Sequence, residues 1–157
     1  MMRIIVALIF VMFSIDVYSK QIKVEIGLDI SRDRGPWINI QVTNITSNII
    51  SCIEVRNIGL DGGISNPVFK VKKEDEDMHY LGSLASRNSD TLTVTLLAKH
   101  SVSSTINISE LYDFSRDGVY EVQYDFSINR FCPSFQPYLL KSNKVRFVKK
   151  GNVLRVK

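Results

Sequence analysis

Residues 112–124 read YDFSRDGVYEVQY, and their pattern decides the fold. Ser115, Arg116, Asp117 and Gly118 make a polar turn, and from Val119 onward the side chains split strictly between two faces. Tyr120, Val122 and Tyr124 form a mostly apolar row, while Val119, Glu121 and Gln123 form a mostly polar one. That is a half-buried β-strand entered through a tight corner. A tyrosine just past an Asp-Gly turn sits where immunoglobulin-like sandwiches use a phenolic hydroxyl to tie the corner to nearby backbone, and Tyr120 is the candidate.

Alternation continues outward in both directions. In residues 20–30, Ile22, Val24, Ile26, Leu28 and Ile30 share a face. Residues 37–45 set Ile38, Ile40, Val42 and Asn44 against Trp37, Asn39, Gln41 and Thr43, with Trp37 placed to cap the core from the strand end. Further β-rich runs occupy 49–55, 68–71, 78–81, 91–97, 101–108 and 138–148, the last with a break expected near Ser142-Asn143. Residues 57–67 form a glycine-bearing loop without the Lys-Ser/Thr ending of a phosphate cradle. Short strands separated by turn signals, without a helical period or a repeat, predict an all-β immunoglobulin-like antiparallel sandwich of about 7–9 strands; a closed barrel is the alternative.

The chain of 157 residues is sized for one domain. Met1, Met2 and Arg3 precede an unbroken apolar run over 4–13, and Val17-Tyr18-Ser19 offers a cleavage site, so residues 1–19 read as a signal peptide, with an uncleaved anchor as the weaker reading because the run is short for a bilayer span. The expected organisation is signal peptide 1–19, sandwich 20–150 and a C-terminal tail 151–157, with a secreted or periplasmic location. After signal removal no segment is apolar for long enough to insert stably in a membrane.

Export permits a disulfide between Cys52 and Cys132, the only cysteines. Closing that loop would contribute about 4 to 5 kcal/mol in the chain-entropy model. Two separate buried thiols are the other reading. Neither cysteine pairs with His79 or His100 in a metal-ligand spacing, so no metal and no cofactor are expected. Glu74, Asp75, Glu76 and Asp77 form an acidic run that lacks the spacing of a calcium loop, and it reads as a solvated hairpin tip.

The net charge is +4, and the signal segment removes one Arg and one Asp, which leaves it unchanged. Many cations lie near the C-terminus, at Lys141, Lys144, Arg146, Lys149, Lys150, Arg155 and Lys157. Alternation turns Lys144 and Arg146 away from Val145 and Phe147, which makes a solvated strand face without the interleaved aromatics of a nucleic-acid binder. Attraction to an acidic protein partner or to an anionic surface suits this bias better. The sequence has no HExxH helix and no GxSxG elbow, and no catalytic residue is assigned. Asn44-Ile45-Thr46 and Asn107-Ile108-Ser109 are sequons, conditional on a glycosylating host.

With residues 66–124 in view, the chain resembles the N-terminal immunoglobulin-like domain of deuterolysin-type and peptidyl-Lys zinc metalloendopeptidases. NPVFKVKKEDEDMHYLGSLASR is similar to a strand pair ending in Tyr-x-Gly-x-x-x-Lys-Arg, matched by Tyr80, Gly82 and Arg87, with Ser86 in place of the Lys. TLTVTLLAKHSVSSTINISELYDFSRDGVYEVQY is similar to the family's Tyr-Asp-Phe-Ser-x-x-Gly-x-Tyr-x-Val-Gln-Tyr ending, and VTNITSNIISCIEVRNIGLDGG to its Thr-Asn turn and Leu-Asp-Gly loop. The resemblance spans about residues 22–126 and implies a pro-region without its protease domain. Its implied function is a non-catalytic module that binds, inhibits or chaperones a secreted zinc endopeptidase; the alternative is a structural or surface-adhesion sandwich unrelated to proteolysis. Tyr80, Gly82, Arg87, Tyr112, Gly118, Tyr120 and Tyr124 are the candidate contact or structural residues.

Overall fold

Two-residue periodicity in the sequence becomes two-faced strands in the computed structural model, which describes residues 21–32, 35–60, 64, 67–82, 92–128 and 138–157. Residues 1–19, read above as a signal peptide, lie outside these residues. The strands are β1 (Ile22–Asp29), β2 (Trp37–Asn44), β3 (Ile50–Glu54), β4 (Phe69–Lys73), β5 (Glu76–Asp77), β6 (Thr93–Leu96), β7 (Ser101–Asn107), β8 (Gly118–Ile128), β9 (Tyr138–Lys150) and β10 (Val153–Val156). Single 3-10 turns follow β3 (Val55–Asn57) and β7 (Ile108–Glu110).

The fold is all-β, with three antiparallel sheets ordered β1-β2-β7, β10-β9-β8-β4-β5 and β3-β6. Ile38, Ile40 and Val42 of β2, Ile50 and Ile53 of β3, and Tyr120, Val122 and Tyr124 of β8 belong to one buried cluster, so all three sheets share a core. Burying an aliphatic or aromatic side chain of this kind contributes about 1.5 to 3 kcal/mol. Phe147 stacks on Tyr120 with ring centroids 5.3 Å apart, and Phe114 meets both rings edge-on or tilted.

The break expected at Ser142-Asn143 is a bulge in the β8–β9 ladder, where the register shifts between Gln123 and Asp125. Tyr124 N–H, which the shift deprives of its ladder partner, donates to Ser142 Oγ at 2.9 Å, and Gln123 Nε2 donates to the Ser142 carbonyl at 2.8 Å. Side chains thus complete the hydrogen bonding that a bulge interrupts.

Four expectations change. The Cys52–Cys132 disulfide is corrected, because the two cysteines do not stand at disulfide-forming distance. A bridge requires Cα atoms within about 7 Å, and a cysteine count combined with an oxidising compartment says nothing about that separation. The backbone of Cys52 falls in a bulge of β3, while Cys132 lies outside the described residues. The segment read as a tail is not loose: β10 turns back on β9 and pairs with it from Val153↔Lys150 to Val156↔Phe147. The acidic hairpin is tighter than expected, since the β4 strand runs into Lys72 and Lys73 and only Glu74 and Asp75 form the tip. Trp37 belongs to the outer row of β2, where the Arg32 guanidinium lies 5.0 Å from its ring centroid.

Candidate functional site

The 112–118 corner builds one wall of an open cleft of about 730 Å³ at one end of the sheets. The β1–β2 connection supplies Ile30, Ser31, Arg32 and Pro36, the corner supplies Tyr112, Asp113, Phe114 and Ser115, and the β9–β10 turn supplies Lys149, Asn152 and Leu154. Leu81 stands on the rim.

Each polar wall is organised by its own local bonds. Asp113 accepts from Ser115 N–H at 2.8 Å, and hydrogen bonding from Ser115 holds its carboxyl below the usual aspartate range. Asp29 accepts from both Ser31 N–H and Ser31 Oγ, and those bonds lower its carboxyl in the same way; Arg32 Nε adds a 3.0 Å contact. Lys149 Nζ donates to the Ser115 carbonyl at 3.3 Å and lies 3.7 Å from Asp117 Oδ1. Asp117 Oδ1 also accepts from Gly151 N–H at 2.7 Å, which locks the corner to the β9–β10 turn. Two cations, Arg32 and Lys149, are therefore fixed in the cleft.

The tyrosines singled out in the sequence anchor the corner. Tyr120 Oη donates to the Arg116 carbonyl four residues upstream, Tyr112 Oη to the Phe69 carbonyl, and Tyr124 Oη to the Asn57 carbonyl at 2.9 Å. Tyr80 Oη reaches the Ile64 carbonyl at 3.3 Å, and its ring meets Tyr112 edge-on at 5.7 Å. Burial raises the phenols of Tyr80, Tyr112 and Tyr120 above the ordinary tyrosine value; the nearby Tyr80 adds to the effect at Tyr112, and Asp113 and Asp117 add to it at Tyr120. Gly118 has φ +152°, and a Cβ there would lie 2.7 Å from Lys73 Cε. At Gly82 a Cβ would run into the Tyr80 ring, 2.5 Å from Cζ, so this glycine lets the tyrosine fold back on its own chain. Arg87 lies outside the described residues.

Asn44 is a structural residue that the sequence presented as a sequon. It is completely buried, and its Nδ2 donates to the carbonyls of Asn48 (2.7 Å), Leu96 (3.1 Å) and Leu97 (3.2 Å). Its Oδ1 accepts from Thr46 N–H and Thr46 Oγ1. The fold leaves no room for a glycan there. Asn107 caps the second 3-10 turn, with its Oδ1 accepting from Ser109 N–H at 3.1 Å and Ser109 Oγ at 2.7 Å.

His79 and His100 are exposed, and neither lies in the cleft. Among the described residues no three His, Cys, Asp or Glu side chains converge as ligands, and no helix is long and apolar enough to cross a membrane.

The outer face of the five-stranded sheet is the feature that no single motif announces. Glu121 on β8 takes Lys144 at 2.7 Å and Arg146 at 2.6 Å from β9, and Lys141 approaches Asp125 at 3.8 Å. Hydrogen bonds from Lys144 and Arg146 hold the Glu121 carboxyl below its usual range. The alternation of β9 gave the signal for this row, but its match to Glu121 depended on the β8–β9 register.

No protein-family model and no curated protein matches this chain. The likeness to metalloendopeptidase pro-regions gains no support from relatives.

Proposed function

We propose that this chain is an exported, non-catalytic interaction module of immunoglobulin-like sandwich type, acting as a structural or surface-adhesion component rather than as an inhibitor of proteolysis. The observation that carries this reading is how the polar atoms around the end cleft are used. Asp113, Asp117, Lys149 and the Tyr112 and Tyr120 hydroxyls are engaged in fixing loops and strands to one another. General acid-base chemistry requires a group poised to exchange a proton with substrate, and here the lowered carboxyl and raised phenols accompany structural hydrogen bonds and burial.

What the cleft offers a partner is shape, apolar surface and fixed charge. Ile30 and Leu81 are exposed on it, beside Arg32 and Lys149. Loops held on a rigid sheet framework suit recognition, and sheets of this kind host many unrelated binding functions.

Retention of the purified chain from residue 20 on cells and matrix of the producing organism tests the reading. Saturable retention that falls when Ile30→Glu and Leu81→Glu are combined, without loss of folding, is the expected result. Retention by neither surface would overturn it.

A further inference from the structure

β10 is the outer strand of the five-stranded sheet and, among the described residues, pairs with β9 alone. Lys157 N–H donates to the Arg146 carbonyl at 3.1 Å, which fixes the phase of this ladder. In an antiparallel pair, successive residues alternately face and turn away from the partner strand. The N–H and C=O groups of Leu154 and Val156 therefore point to the open edge. No described residue bonds to them. Val153 and Val156 are 52% and 61% exposed, and the strand has neither a proline nor a register shift to blunt it.

The charge around this edge selects its occupant. Residues 141–157 contain seven Lys and Arg and no Asp or Glu. Lys141, Lys144 and Arg146 are met by acids of β8, whereas Lys150, Arg155 and Lys157 have no acid within ion-pair distance among the described residues. A second copy would bring the same cations against them, and like charges across a strand pair are destabilising.

We propose that β10 is a strand-addition edge that accepts an extended acidic segment of another protein. Main-chain groups of Leu154 and Val156 hold the added strand, and Lys150, Arg155 and Lys157 select its charge. This deepens the interaction-module reading by naming the chemistry of its partner. It can fail alone: loss of peptide binding with surface retention intact removes the edge and leaves the module.

The test is titration of the full chain from residue 20 with a short blocked peptide of alternating glutamate and valine. Binding is expected to saturate and to weaken with added salt. Val156→Pro removes one outward donor without touching the β9 ladder, and about a tenfold or greater loss of affinity is expected at an unchanged melting temperature. The same peptide N-methylated at alternate residues reads the main-chain bonds with the protein unaltered, and its binding is expected to fall as far. Absence of binding, equal binding of the methylated peptide, or equal binding of disordered polyglutamate would overturn the proposal. Concentration-dependent self-association abolished by Val156→Pro would overturn it in favour of a second copy.

Discussion

The Asn143 side chain meets the Ile26 main chain twice: its Oδ1 accepts from Ile26 N–H at 2.8 Å, and its Nδ2 donates to the Ile26 carbonyl at 2.9 Å. One amide thereby imitates a strand partner and joins β1 to β9 across two sheets. The bulge that exposes Asn143 is held by Ser142, whose Oγ accepts from Tyr124 N–H. Adjacent residues thus close one ladder and bridge to another. Asn143→Ala removes both inter-sheet bonds and should lower unfolding free energy by about 1 to 3 kcal/mol. Urea denaturation checks this, and an unchanged midpoint would show that the two sheets hold together without the bridge.

Asn44 should tolerate replacement poorly. Asn44→Ala leaves the buried carbonyl of Leu96 without this donor and those of Asn48 and Leu97 without the same amide. A loss of about 2 to 3 kcal/mol is expected. Thermal melting checks the loss. Mass spectrometry of chain secreted from a glycosylating host should find Asn44 unmodified, and a folded product with a glycan at Asn44 would contradict the burial.

The two-residue tip of the β4–β5 hairpin is a place where the sequence works against its backbone. Glu74 and Asp75 both have positive φ, 48° and 75°. Such turns favour asparagine or glycine, because a Cβ is strained in that region. Asp75→Gly should therefore raise stability by about 0.5 to 1 kcal/mol, seen as a higher urea midpoint with an unchanged slope. A lower midpoint would mean that the Asp75 side chain contributes more than its backbone strain removes.

Stability should fall at both ends of the pH range. Glu121, Asp29 and Asp113 have lowered carboxyl pKa values, so their contribution is present above the ordinary carboxylate range and is lost as pH falls through the lowered values. Tyr80, Tyr112 and Tyr120 are raised, so theirs is present below the ordinary tyrosine value and is lost as pH rises through the raised ones. Urea midpoints of Glu121→Gln should drop less on acidification than those of the unaltered chain. Phenolate absorbance should lag behind free tyrosine until the fold opens, and full ionisation of a still-folded chain near the ordinary value would contradict the burial.

The parts of the fold readable in advance were those set by local alternation. Tyr120, Val122 and Tyr124 face the core as a period of two requires, and the polar Ser142-Asn143 pair marked the bulge. Long-range partners were not readable. Nothing near Asn143 points to Ile26, 117 positions earlier, and nothing in a sequon distinguishes a glycan acceptor from a buried amide that fastens three carbonyls. Strand register lies behind the Glu121 cluster, and cysteine count could not supply the separation between Cys52 and Cys132. The cleft was partly legible, because its corner wall is contiguous in sequence while its other walls arrive from β1 and β9.

The central claim is recognition without control of proteolysis. Its most direct test is to titrate the purified chain from residue 20 into a panel of secreted zinc endopeptidases while measuring its retention on cell and matrix surfaces in the same buffer. Saturable surface retention with every peptidase fully active at excess chain is the predicted result. Stoichiometric loss of activity in any one of them would contradict it.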